Sequence, residues 1–148
     1  MNASLDTNVR LQLYREFVRT GLAPSTKILA ETMKLHIDDV RAALERLAAG
    51  KAIVLQPESR EILMAAPLSA VPSPFLVRSG ARSYFAACVW DALGIIAMLK
   101  TNATIETSCP CCGEAMAIEV RDGNPRSPQG IIHFAIPAKR WWENIVFT

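Results

Sequence analysis

Apolar residues recur at helical spacing through the first fifty positions. In "NVRLQLYREFVRTG", Val9, Leu13, Phe17 and Val18 share one face, and Gly21 closes the segment. "APSTKILAETMKL" opens on a Pro-Ser entry signal and carries Ile28, Leu29 and Met33 at the same period. "HIDDVRAALERLAAG" has Val40, Ala43, Leu44 and Leu47 as its stripe and Gly50 as its stop. The period then shortens. Ala52 to Leu55 and Ile62 to Ala65 are apolar runs around a Pro-Glu-Ser-Arg turn, which predicts a hairpin. Three helices followed by a hairpin make a winged-helix-like pattern over residues 1–67.

"PLSAVPSPF" holds three prolines in nine residues and reads as a linker. Beyond it, residues 68–148 form a second region. A helix bearing Cys88 is expected over roughly Arg82 to Leu99. "ATIETSCPCCGEAMAIEVRDG" reads as two strands around a cysteine-bearing turn, with Ile105, Met116, Ile118 and Val120 alternating. "NPRSPQG" reads as a loop and "IIHFAIP" as a short buried strand. "AKRWWENIVF" carries a tryptophan pair into the terminus. The fold class is therefore α+β, a three-helix domain ahead of a small core with an antiparallel sheet.

Composition narrows the function classes. The chain has 148 residues, 51% of them hydrophobic, enough for a real core. A net charge of +2 gives no broad field for nucleic acid or anionic membrane. No apolar run is long enough to span a bilayer, and the charged N-terminus lacks the apolar stretch of an export signal. The expected compartment is the reducing cytoplasm, where Cys88, Cys109, Cys111 and Cys112 serve as thiols or metal ligands rather than disulfides. The third helix begins with Asp38 and Asp39, and Glu45 offsets Arg41 and Arg46, so DNA is an unfavoured partner.

Candidate chemistry lies in three places. In "YFAACVWDALGI", Cys88 and Asp91 stand at i and i+3, on one helical face. The plain reading is a buried small hydrophobe beside a capping carboxylate. The chemical reading pairs a soft nucleophile with a proton carrier. In "SCPCCGE", Cys109 and Cys112 form a C-x-x-C knuckle, half of a zinc site, or else a tight turn whose sulfurs are incidental. His133 and Cys88 are the other strong donor candidates, and Cys111 suits an outward-facing thiol. His133, in an apolar run, reads first as a packing residue. Trp141 and Trp142 read as core or interface anchors, the latter with a second copy of the chain, or as the roof of an apolar pocket.

Together, "SYFAACVWDALGI", "SCPCCGEAMAIEV" and "IIHFAIPAKRWW" resemble the organomercurial (alkylmercury) lyases, in order and in spacing. The N-terminal helical pattern is similar to that family's as well. The resemblance implies protonolysis of a carbon–mercury bond. Cys88 matches the cysteine that captures the organomercurial, and Asp91 matches the aspartate that delivers the proton. It implies Hg(II) as bound product and no required cofactor, with zinc at the Cys109/Cys112 knuckle as a separate candidate. Trp90, His133, Phe134 and Trp141 are the residues expected around the organic group. The family's second catalytic cysteine lies just upstream of the His-Phe segment, where this chain has Gln129 and Gly130. A knuckle thiol or a small cytosolic thiol would have to fill that place. Two other readings stand beside the lyase: a protein that captures thiophilic metal ions through Cys88 and the Cys109, Cys111 and Cys112 cluster without breaking bonds, and a metal-responsive winged-helix regulator.

Overall fold

The computed structural model describes residues 3–126 and 130–146 of the chain. It divides into two compact units, Met1–Pro72 and Ser73–Thr148. The division expected from sequence lay at 67/68.

The first unit follows its hydrophobic pattern closely. Helix α1 spans Ala3–Thr20, α2 spans Thr26–Met33 and α3 spans Ile37–Ala49. Val9, Leu13 and Phe17 are fully buried, with Leu29, Val40, Ala43 and Leu44 packed in the same core. Of the residues expected in the α2 stripe, Leu29 is fully buried and Ile28 is 46% exposed. Ser25 caps α2 by accepting from the Ile28 amide at 3.2 Å. A second cap comes from far away in sequence. Glu61 Oε2 accepts from the Thr26 amide at 2.8 Å and its hydroxyl at 3.1 Å, tying the hairpin to α2. Strands β1 (Val54–Leu55) and β2 (Ile62–Ala65) pair antiparallel as expected. The proline-rich stretch is not wholly a linker. Leu68–Ser69 forms β3, paired antiparallel to β2, because Leu68 is fully buried and its strand completes the ladder. The Tyr14 hydroxyl donates to the Ala66 carbonyl at 2.7 Å and holds the β2–β3 turn to α1.

In the second unit, β4 (Phe75–Ser79) and β5 (Arg82–Ala86) form a hairpin, followed by helix α4 (Val89–Leu99). The expected helix over Arg82 to Leu99 is therefore a strand and a shorter helix. Gly80, at φ +58°, opens a two-residue loop between Ser79 and Arg82, as mirror-image hairpin turns require. Tyr84 and Ala86 are buried while Ser83 is exposed and Phe85 only partly buried, a two-residue period that suits a strand. Strand β4 also pairs with β6 (Ala103–Ser108), which pairs with β7 (Ala115–Arg121), all antiparallel. "NPRSPQG" is not entirely loop: Asn124–Pro125 forms β8, turned back on β7 by Asp122 and Gly123, both at positive φ. The strand order in this unit is β5-β4-β6-β7-β8. Helix α4 buries Ala92, Ile95 and Ile96 and packs on β4 and β5.

The expected buried strand at "IIHFAIP" is absent. Residues 131–134 have no regular structure, Ile131 is 94% exposed, and a six-residue 3₁₀ turn, Ala138–Glu143, follows. Gln129 and Phe147 lie outside the described residues. No helix of the described residues is long and apolar enough to cross a membrane.

Ile105 sits at the centre of the second unit's sheet, paired with Val77 on one side and Ile118 on the other, and is fully buried. Ile105→Ala is expected to cost about 2–5 kcal/mol in denaturant unfolding, by lost transfer energy and the cavity left behind. Leu11→Ala, at a position 49% exposed, is expected to change stability by less than about 0.5 kcal/mol. Equal effects from the two substitutions would contradict this assignment of the core.

Candidate active site

The site begins where β5 becomes α4. Ala86 is the last paired residue of the strand and is fully buried. Two residues later Cys88 takes the helix cap position in extended backbone, φ −148° and ψ 178°. Its carbonyl accepts the first helical hydrogen bond, from the Ala92 amide at 2.9 Å. Cys88 is thus the cap of α4 and not a residue within it. Its side chain still reaches the first turn. The Cys88 thiol donates to Asp91 Oδ2 with sulfur and oxygen 3.7 Å apart. Both side chains are half-buried.

That environment sets their protonation. Burial pushes the Asp91 carboxyl above the usual carboxylate range, against the hydrogen bond from Cys88 that favours the charged form. Burial likewise pushes the Cys88 thiol up. The Asp91 and Trp90 amides pull the other way, though neither makes a cap hydrogen bond to the sulfur within ordinary limits. The negative charge of Asp91 adds to the rise. The pair therefore favours a state that keeps a proton between them.

An open apolar cavity of about 530 Å³ lies nearby in sequence and in the same unit. Trp90, which precedes Asp91 in the chain, forms one wall. Phe134, Ala135, Ile136, Pro137, Ala138 and Trp141 form the rest. The Phe134 and Trp141 rings meet at a centroid distance of 5.3 Å, tilted by 49°. Trp141 Nε1 donates to the Ile136 carbonyl at 2.8 Å and fixes the turn between them. Of the four residues expected around an organic group, Trp90, Phe134 and Trp141 are in these walls. His133 is exposed and is not, and the walls do not extend to Cys88 or Asp91.

The knuckle is the β6–β7 hairpin loop. The Cys109 amide donates to the Glu114 carbonyl and the Gly113 amide to the Cys109 carbonyl, each at 2.8 Å. Gly113 closes the loop at φ +75°, a conformation that disfavours a side chain. The neighbouring Cys112 and Cys111 amides and the Cys112 thiol favour the charged form of Cys109 and lower its pKa. Cys111 and Cys112 are exposed. Among the described residues, no three His, Cys, Asp or Glu side chains are grouped to hold a metal ion. The knuckle thus offers a pair of donors, and no knuckle thiol joins Cys88 and Asp91 in such a group.

Register places the two cysteine sites at one end of the sheet. Ala86 of β5 pairs with Phe75 at the start of β4, and Glu106 of β6 pairs with the adjoining Leu76. Strands β5 and β6 flank β4, run in the same direction, and lead out to Cys88 and Cys109. Where they are paired to β4, the two strands lie two strand spacings, about 10 Å, apart. Gly130 approaches this end as well, since a Cβ there would lie 3.1 Å from the Met116 methyl, and Met116 pairs with Thr107. Thr107 was not singled out from the sequence. Its hydroxyl oxygen is buried without a partner among the described residues, a property that no local pattern reveals. Ala135, Ile136, Pro137 and Ala138 were also missed individually, because they form a wall through an irregular path.

Two pH effects are expected. The folded chain holds the Asp91 proton more tightly than the unfolded chain does. Its ionisation therefore removes stability as pH rises above the ordinary carboxylate pKa, and the loss is complete above the raised folded value. Asp91→Asn should accordingly raise Tm more at neutral pH than at acid pH. Alkylation of Cys88, followed by peptide mass spectrometry, should require higher pH than that of Cys109. An Asp91→Asn variant with lower Tm at neutral pH, or Cys88 as the faster thiol, would contradict this electrostatic picture.

No match is found among curated proteins. Among solved structures, one described as the mercury-bound form of MerB2 superposes with a TM-score of 0.65 at 23% identity. The match covers 86% of this chain and 60% of that one, so the chain spans less than two thirds of that relative's length. It establishes similarity of fold. The family model described as alkylmercury lyase matches residues 68–148, more than half of the sequence and all of the site described above. The chain belongs to the alkylmercury lyase family.

Proposed function

We propose that the protein cleaves carbon–mercury bonds by protonolysis, with Cys88 capturing the metal and Asp91 delivering the proton. The contact between the Cys88 thiol and Asp91 Oδ2 carries this reading, because one hydrogen bond joins a soft nucleophile to a proton acceptor. A buried structural cysteine would need no carboxylate, and simple capture of a metal ion would not either.

The substrate in this reading is an organomercurial already carrying a small thiolate, R–Hg–SR′. Cys88 sulfur bonds to mercury as its proton passes to Asp91, and R′S⁻ is displaced. When R′S⁻ returns to mercury, the second sulfur raises electron density on the mercury-bound carbon. The Asp91 carboxyl then protonates that carbon. The hydrocarbon RH leaves, Hg(II) stays between Cys88 and SR′, and Asp91 is again a carboxylate. The proton gained by the carbon is the one that Cys88 lost. The raised thiol pKa keeps that proton on the enzyme until mercury arrives, and the raised carboxyl pKa lets Asp91 hold it in transit. The external thiol takes the part of the family's second catalytic cysteine, where this sequence has Gln129 and Gly130. The organic group passes over Trp90 toward the apolar cavity walled by Phe134 and Trp141.

The experiment is incubation of the protein with an aryl- or alkylmercurial and excess small thiol, with the released hydrocarbon measured. Cys88→Ser should abolish release. Asp91→Asn should slow it by about 10²–10⁴-fold, the usual contribution of a positioned general acid, while still binding the organomercurial. Stoichiometric mercury uptake by the native chain without hydrocarbon release would overturn the proposal.

A further inference from the structure

We propose that the β6–β7 loop is a second mercury site, in which Cys109 and Cys112 bind Hg(II) as a linear bis-thiolate. The loop is built to present two sulfurs together. Two 2.8 Å backbone hydrogen bonds, Cys109 N–H to the Glu114 carbonyl and Gly113 N–H to the Cys109 carbonyl, fold the loop back on itself, and the positive φ of Gly113 closes it, which brings Cys109 and Cys112 onto one tight turn. The site is open, since Cys112 is exposed and Cys109 half-exposed. No third donor is grouped with the pair among the described residues. Tetrahedral zinc needs four ligands. A thiophilic d¹⁰ ion content with two sulfurs does not, and Hg(II) is the ion of that class that this family's chemistry releases.

Position gives the site a use. The loop leaves the same end of the sheet as Cys88, one intervening strand away. Hg(II) held between Cys88 and a small thiolate passes to the loop by ligand exchange. Cys109 and Cys112 each bond to mercury and give up a proton, the bonds to Cys88 and to the small thiol break, and those two sulfurs take the protons. No oxidation or reduction occurs. This receiving role rests on the lyase reading, whereas the binding site does not.

The test uses the full-length Cys88→Ser chain and HgCl₂ in the presence of a monothiol competitor, so hydrocarbon release is not read and failure of the lyase leaves it standing. The expected result is one Hg(II) per chain, an ultraviolet thiolate-to-mercury band, and protection of Cys109 and Cys112 from alkylation without a change in oligomeric state. Adding Cys112→Ser, at an exposed position, should weaken binding by about 10²-fold or more through loss of chelation. Cys109→Ser should do the same, and Cys111→Ser should leave binding intact. Uptake indifferent to Cys112→Ser, dependence on Cys111, mercury-bridged oligomers, or equally tight Zn(II) binding would each overturn the assignment.

Discussion

The site depends on a change of backbone period between Ala86 and Val89. A strand that ends on a buried alanine hands the chain to a helix through Ala87 and Cys88, and Cys88, in extended backbone, is the cap. Because Cys88 precedes the helix, its thiol overhangs the first turn and meets Asp91. Ala92, next to Asp91, is fully buried on the side that packs against the sheet, so the helix cannot roll to release the carboxylate to water. Partial burial then raises both pKa values. A continuous helix through Cys88 would keep the i, i+3 spacing but not this overhang.

The opposing effects on these two groups explain why they sit where they do. A helix N-terminus favours a carboxylate and a thiolate alike. Here desolvation outweighs it for both. The balance suits proton transfer better than it suits a standing nucleophile, since neither group relinquishes its proton early. The knuckle is arranged in the opposite sense. There the neighbouring amides lower the pKa of Cys109 in a solvent-facing loop, which favours the thiolate. One small sheet thus carries a proton-retaining thiol and a proton-releasing thiol at the same end.

The apolar cavity has a different origin. Its walls come from a segment with no strand and a single 3₁₀ turn, held by the Trp141–Ile136 hydrogen bond and the Phe134–Trp141 ring contact. Trp90, 63% exposed, is the one wall residue supplied by the regular core. Large aromatic groups left accessible on an otherwise buried scaffold fit a surface that receives an apolar guest.

Local pattern alone determined the three helices of the first unit, the β1–β2 and β6–β7 hairpins and the cysteine turn, because burial there follows a regular period in each segment. It also singled out Cys88, Asp91 and Trp141, whereas Trp90 and Phe134 were expected from the family resemblance. It misplaced Arg82–Ala86 as helix, since Tyr84, Phe85 and Ala86 in an apolar run satisfy either period, and the Gly80 loop that decides for a strand works through pairing with β4. It put "IIHFAIP" in the core on hydrophobicity, although Ile131 is 94% exposed. What tertiary structure decided was distance and solvent access. The sulfur–carboxylate contact arises where the strand gives way to the helix, which sets Cys88 at the cap. The sheet end at which Cys109 emerges and the orphaned Thr107 hydroxyl arise from strand register, which couples residues far apart in the chain and leaves no periodic trace in either segment.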